Sequence, residues 1–156
     1  MTPNDNDENK MLMEDSDLLE SYDPEQFRLR REFKDGVFFL LRPVTPEELQ
    51  NLYDSNSVQV WEPAKKQKVN KLTEAGEILF VKMAIKGWEG LTWEILDSWM
   101  IGWNSKAKGK SGPVEFKIST AWTLLKKVNK LQPWIFDTVT NEVEMSEIQA
   151  AQAKNL

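Results

Sequence analysis

Histidine and cysteine are both missing from these 156 residues. Their absence excludes Ser-His-Asp and Cys-His nucleophilic triads, thiol chemistry, zinc fingers, haem ligation and disulfide scaffolds. Any metal would have to sit on carboxylates alone, and no cofactor is expected. Without cysteine the redox compartment is left open. The chain also has no uncharged apolar stretch of the ~18 residues needed to span a bilayer. It begins with acidic residues, where a secretory signal carries a basic region and then an apolar one. These absences predict a soluble, intracellular protein that contacts no membrane. The length predicts one domain with a real core and does not comfortably hold two.

The formal net charge of −5 conceals an asymmetry. Residues 1–25 carry nine acidic side chains, from Asp5 to Glu25, and a single base, Lys10. Set against totals of 25 acidic and 20 basic residues, this leaves a body of 16 acidic and 19 basic residues, about +3. So polar a leader buries too little apolar surface to offset its ordering entropy, which predicts disorder over 1–25. The alternative is that Met11-Leu12-Met13 and Leu18-Leu19 form a short docking segment that folds on a partner or shields the basic body.

The body, 26–143, divides into readable pieces. Phe27, Leu29 and Phe33 alternate with Arg28, Arg30 and Glu32, and Lys34-Asp35-Gly36 precedes the apolar run Val37–Leu41. Asp-Gly between two such runs predicts a hairpin, because the turn needs positive φ; Arg31 interrupts the alternation and blurs the register. After Pro43, Thr45-Pro46-Glu47-Glu48 fits a capping box with Pro at the first helical position. Leu49, Leu52 and Tyr53 give the short helix that follows one apolar face, ending at Asp54–Ser57.

Val58–Trp61 reads as a brief strand. The basic run Lys65–Lys71 reads as a solvated linker or helix face, or else as a phosphate-binding cluster, for which interleaved aromatics are missing. Lys106–Lys110 is a second basic run, punctuated by glycine and without phosphate-loop spacing, so a mobile loop is expected.

From Thr73 as N-cap, Glu74 to Lys86 is apolar over most of its circumference and predicts a nearly buried core helix. Thr92 caps a second helix expected over Trp93–Trp103, with Glu94, Asp97 and Ser98 as a narrow polar stripe. Its remaining face, Trp93, Leu96, Trp99, Met100 and Trp103 above all, is either core or a partner-binding surface. After the extended Gly112–Phe116, the residues Ala121, Leu124, Leu125 and Val128 repeat at i, i+3, i+4, i+7 and predict an amphipathic helix ending at Leu131. Pro133 starts another, carrying Trp134, Ile135, Phe136, Val139 and Val143 and fraying over 144–156. Trp88, Trp122 and Trp134 are the expected structural anchors. The predicted fold is mostly α with a small N-terminal β-hairpin (α+β), a single, mainly helical domain with flexible termini.

Reaction chemistry finds little support. Glu89, Glu94 and Asp97 are the only carboxylates beside a large aromatic cluster, and their spacing suits a solvated helix face as well as an acid–base pair. The expectation is a binding protein, not an enzyme, with no catalytic residue and no small-molecule substrate.

The order of parts carries a resemblance. An apolar helix, then Gly87-Trp88-Glu89-Gly90-Leu91, a variable stretch, Gly112-Pro113-Val114-Glu115-Phe116, an amphipathic helix and Pro133-Trp134-Ile135-Phe136 resembles the tail assembly chaperone families of long-tailed bacteriophages and their prophage relatives. Leu41–Glu48 also resembles the start of such chains, and the likeness runs over roughly residues 33–143. It implies a small, mostly helical, non-catalytic protein of the host cytoplasm that coats the tape measure protein during tail assembly and helps recruit tail tube subunits. Trp88, Trp93, Trp99 and Trp103 are the candidate anchors for that contact. Two alternatives stand beside it: a virion structural or completion protein, and a nucleic-acid-associated accessory protein using Lys65–Lys71 and Lys106–Lys110.

Overall fold

The computed structural model describes residues 28–141 and Ala150. The acidic leader over 1–25, its docking segment, Val143 and, Ala150 apart, the tail over 144–156 lie outside the described residues.

Strands β1 (Leu29–Lys34) and β2 (Val37–Leu41) form the anticipated hairpin. Asp35 and Gly36 sit at φ 56° and 76°, the left-handed pair a two-residue turn demands. The in–out alternation runs unbroken through Arg31 to Phe33, and it is the pairing register that slips, between Glu32 and Lys34, so that Phe33 falls at a bulge. Helix α1 (Pro46–Asn56) follows, and its capping box is complete: the Glu48 N–H donates to Thr45 Oγ1 at 3.2 Å and the Thr45 N–H to Glu48 Oε1 at 3.1 Å. Buried Arg42 adds a bidentate pair to the same carboxylate, at 2.9 and 2.6 Å. Burial acts to raise the Glu48 pKa, but the Arg42 hydrogen bond, the Thr45 N–H, the Arg42 charge and the Thr45 hydroxyl together hold it below its ordinary 4.5.

Strands β3 (Ser57–Glu62) and β4 (Gln67–Leu72) pair with each other alone, a two-stranded ribbon. Residues 67–71 were expected in a linker or helix face. They pair instead because Pro63–Lys66 turns the chain, with the Lys66 N–H donating to Pro63 O at 3.3 Å. Lysines are tolerated in β4 because Lys68 and Lys71 are exposed, so their heads stay in water, while Val69 and Leu72 are half-buried.

Helix α2 (Glu74–Ala84) is capped by Thr73 as read, but it stops two residues short of the expected Lys86. Ile85 turns extended and β5 (Ile85–Glu89) runs antiparallel to β2, completing a three-stranded sheet in the order β1-β2-β5. The carbonyl of Ala84 accepts from the Arg42 N–H at 2.8 Å, which ends the helix, and the freed backbone is satisfied by the β2 ladder. Gly90, at φ 79°, closes the strand so tightly that a Cβ there would lie 2.7 Å from the Gly36 carbonyl oxygen.

Helices α3 (Trp93–Trp99), α4 (Ile118–Lys127) and α5 (Leu131–Thr140) follow. In α4 Ala121, Leu124 and Leu125 are buried with Val128, as their spacing demanded. The helix ends at Lys127, not Leu131, because Val128 turns extended at ψ 123°, and Lys130, at φ 67°, then leads into the next helix. Leu131 then opens α5, and Pro133 sits within its first turn, where a missing N–H costs nothing. Leu131, Ile135 and Val139, spaced i, i+4, i+8, are almost fully buried. Trp134 packs on Phe33 and Phe39 of the sheet, while Phe136 meets Phe80 of α2.

The fold is therefore α+β, with five α-helices and two small sheets among the described residues. The mostly helical body with one N-terminal hairpin is corrected by β5 and by the β3–β4 ribbon. Both strands the sequence hid are short segments that an apolar or basic run disguised.

A candidate partner-binding groove

Between α3 and α4 lies an open groove of about 680 Å³. It is built by an excursion of the chain tied at its base. Trp93 N–H donates to Gly112 O and Val114 N–H to Leu91 O, both at 3.0 Å, and Thr92 bridges Pro113. Within the excursion Thr92 caps α3, its hydroxyl accepting from the Ile95 N–H at 3.2 Å.

The helix spans seven residues, not the expected eleven. Met100 turns extended, Gly102 at φ 82° reverses the chain and the Trp103 N–H returns to Met100 O at 3.2 Å. The apolar face expected on one continuous helix is thus split between a short helix and the turn after it. Asp97 then holds the following loop: it accepts from the Ser105 N–H at 2.9 Å and hydroxyl at 2.7 Å, with Ser105 itself buried. Ser105 in turn accepts from Lys108 and Lys110 N–H, so the basic run Lys106–Lys110 is wound into a 3₁₀ turn, Lys106–Lys108. Glu94 accepts from the Gly112 N–H at 3.0 Å, which keeps its carboxyl below its ordinary 4.5.

All five residues expected in the partner-binding face line this groove. Two of them are not free anchors. Leu96, at 0% exposure, and Trp99, at 7%, are core residues that form its floor. Trp99 Nε1–H donates to Asp35 Oδ2 at 2.8 Å and its ring meets Phe33 edge-on, which binds α3 to the β1–β2 turn. Trp93, Met100 and Trp103 are half-buried, and Ile101 beside them stands fully in solvent at 108%. The Trp93 and Trp103 rings lie 6.1 Å apart, with Lys110 over the Trp93 face. Trp103 Nε1 is buried without a hydrogen-bond partner among the described residues, a cost of about 1–3 kcal/mol for that donor. Across the groove α4 contributes Ser119, Thr120, Thr123 and Lys127. Lys127 is the only ionisable side chain in the lining.

The three anchor tryptophans lie elsewhere, each half-buried at the edge of the core. Trp88 donates to Val114 O at 2.8 Å and packs edge-on against Phe39 and Phe116, so it joins β5 to the closing segment of the excursion. Trp122 donates to Glu77 at 3.0 Å, linking α4 to α2, and Lys126 covers its ring. Trp134 packs on the sheet as described.

The carboxylates weighed as an acid–base pair have structural partners. Glu89 pairs with Arg30 at 2.7 Å, while Glu94 and Asp97 hold the excursion. Among the described residues no group of acidic side chains is arranged to hold a metal, and no helix is long and apolar enough to cross a membrane. Thr123 and Lys127 are groove residues that the sequence did not single out, and Ile101, which falls on the apolar face of the expected 93–103 helix, was not among its expected anchors. Only the Trp-rich composition around 93–103 signalled the site. No protein-family model, no curated protein and no solved structure matches the chain.

Proposed function

We propose that this chain is a non-catalytic assembly factor of the host cytoplasm that holds an apolar helical segment of the tape measure protein in the α3–α4 groove, in the manner of a phage tail assembly chaperone, and so assists addition of tail tube subunits. The observation that carries the reading is the groove itself: about 680 Å³, floored by Leu96, Trp99 and Leu124, walled by two tryptophans and bordered by a fully exposed isoleucine. Aromatic walls around a hydrophobic floor are how helix-in-groove sites draw their affinity, from a few buried anchors. A groove whose one ionisable lining group is a lysine offers no acid–base pair for chemistry. The named partner follows from the motif order that resembles tail assembly chaperones.

Co-purification tests it. Ile101→Ser removes an exposed rim contact and Thr123→Arg fills the groove from α4, neither disturbing the core. The double variant should keep the wild-type circular dichroism and melting temperature and lose the tape measure protein. A folded double variant that retains this partner, or a wild type that never captures it, rules the reading out.

A further inference from the structure

The β3–β4 ribbon places side chains together that lie far apart in sequence. Trp61 pairs directly across from Lys68, and Gln59 across from Asn70, so all four share one face, and all four are exposed. Trp61 is 60% exposed, and among the described residues no other ring or cation lies on it. Lys65 and Lys66 stand at the turn and Lys71 on the far face, opposite Val58. Against these four lysines the ribbon carries one carboxylate, Glu62, 3.9 Å from Lys65.

A two-stranded ribbon is marginal in water unless something covers it. This one is tied down only at its root, where the Thr73 N–H donates to Asn56 O at 2.8 Å. Moreover, Lys66 occupies φ 51°, a conformation in which glycine would fold at lower cost. A cation thus stands at the tip of the ribbon, in a backbone conformation that needs no side chain.

We infer that the Gln59–Trp61–Lys68–Asn70 face of the ribbon binds single-stranded nucleic acid, with Trp61 stacking on a base, Gln59 and Asn70 offering hydrogen bonds to base edges, and Lys65, Lys66 and Lys68 contacting phosphates. An exposed indole between amides and ammonium groups matches the stacking platform and basic track of single-strand binders. A base in a duplex already has both its faces stacked and leaves this indole without a partner. An apolar protein surface would gain nothing from the amides and lysines. The site is separate from the α3–α4 groove and does not depend on the reading given to it.

The test uses the full chain and a fluorescein-labelled oligothymidylate of about 12 nucleotides, within the ~4–16 that single-strand binding folds cover, read by anisotropy. With three phosphate contacts at ~0.7 each, the logarithmic salt slope should be about −2, or roughly a 20-fold loss of affinity between ~50 and ~200 mM salt. Trp61→Ala should weaken binding about 5- to 140-fold, the range for losing one stacked base. Lys66→Gly should flatten the salt slope by about 0.7 while leaving the melting temperature unchanged or higher. No binding at ~50 mM salt overturns the inference. So does an affinity unmoved by Trp61→Ala, which would mean that scattered lysines are being read, or a Trp61-independent preference for duplex. Binding of a peptide of residues 1–25 in trans, without binding of oligonucleotide, would make the ribbon a protein-docking element and overturn it equally.

Discussion

Trp99 decides whether the groove is a surface laid on a folded body or a thin cover over the core. Its ring is 7% exposed, meets Phe33 at 5.4 Å, and donates from Nε1 to Asp35 Oδ2 at 2.8 Å. Trp99→Ala opens a cavity where α3 rests on the β1–β2 turn and should cost about 3–5 kcal/mol. At ~2–4 °C per kcal/mol for a chain of this size, the melting temperature should fall by roughly 6–20 °C. Trp99→Phe keeps an aromatic ring but removes a hydrogen bond to a carboxylate, worth about 1.5–3 kcal/mol. Asp35→Gly removes the acceptor, and glycine suits φ 56° at that position. The double-mutant cycle between these two should show a coupling of about 0.5–3 kcal/mol, measured by thermal or denaturant unfolding. A Trp99→Ala protein melting within ~2 °C of wild type, or a cycle with no coupling, would refute the assignment of Trp99 to the floor. A Trp99, Trp103 double replacement would confound unfolding with loss of partner, whereas Ile101 and Thr123 probe the groove alone.

Gly76→Ala should destabilise despite a helix-propensity gain of ~1 kcal/mol, because its Cβ would lie 2.8 Å from both Asn56 Cβ and Asn56 O; a net loss of about 1–3 kcal/mol is expected by denaturant titration, and a more stable variant would show that α1 and α2 give way freely. Glu48 is ionised more readily folded than unfolded, so its contribution is present above pH 4.5 and lost as pH falls below that toward its lowered folded value. Glu48→Gln should accordingly flatten the acid limb of stability against pH, and an unchanged limb would locate the acid sensitivity elsewhere. Asp97→Ala should leave the buried Ser105 hydroxyl and N–H unpartnered, costing about 1–3 kcal/mol, and should raise amide exchange over 100–110 more than in α5; uniform exchange would mean that Asp97 does not hold the loop.

Local signals read without error where the chemistry was contained in a few neighbouring residues. Asp35-Gly36 dictated a positive-φ turn, Thr45 to Glu48 dictated a reciprocal cap, and the spacing from Ala121 to Val128 dictated a buried stripe. The missing histidine and cysteine excluded chemistry that needs an imidazole or a thiol before any fold was known. The errors fell where one composition suits two structures. Ile78 to Ile85 is equally a buried helix and a buried strand, and the choice at Ala84 was made by Arg42, forty-two residues earlier, capturing its carbonyl. A lysine-rich run has no local reason to be a strand, and residues 67–72 become one only through the facing ladder of β3.

The site divides in the same way. Tryptophan enrichment over 93–103 pointed to the stretch that lines the α3–α4 groove, because so much aromatic surface must be buried somewhere. Which indoles are floor and which are wall depended on distant residues: Asp35 and Phe33 drew Trp99 inward, while Gly102 turned Ile101 out into water. Pairing of Trp61 with Lys68 likewise exists only as a register between strands. Composition and short-range periodicity by themselves determined the chemical classes available, the caps, the turn and the helix stripes, since these forces act within a turn or two of chain. The partners of β4 and β5, the end of α2 and the exposure of each tryptophan were decided by tertiary structure alone, because hydrogen-bond satisfaction and close packing are settled between residues that the sequence does not place side by side.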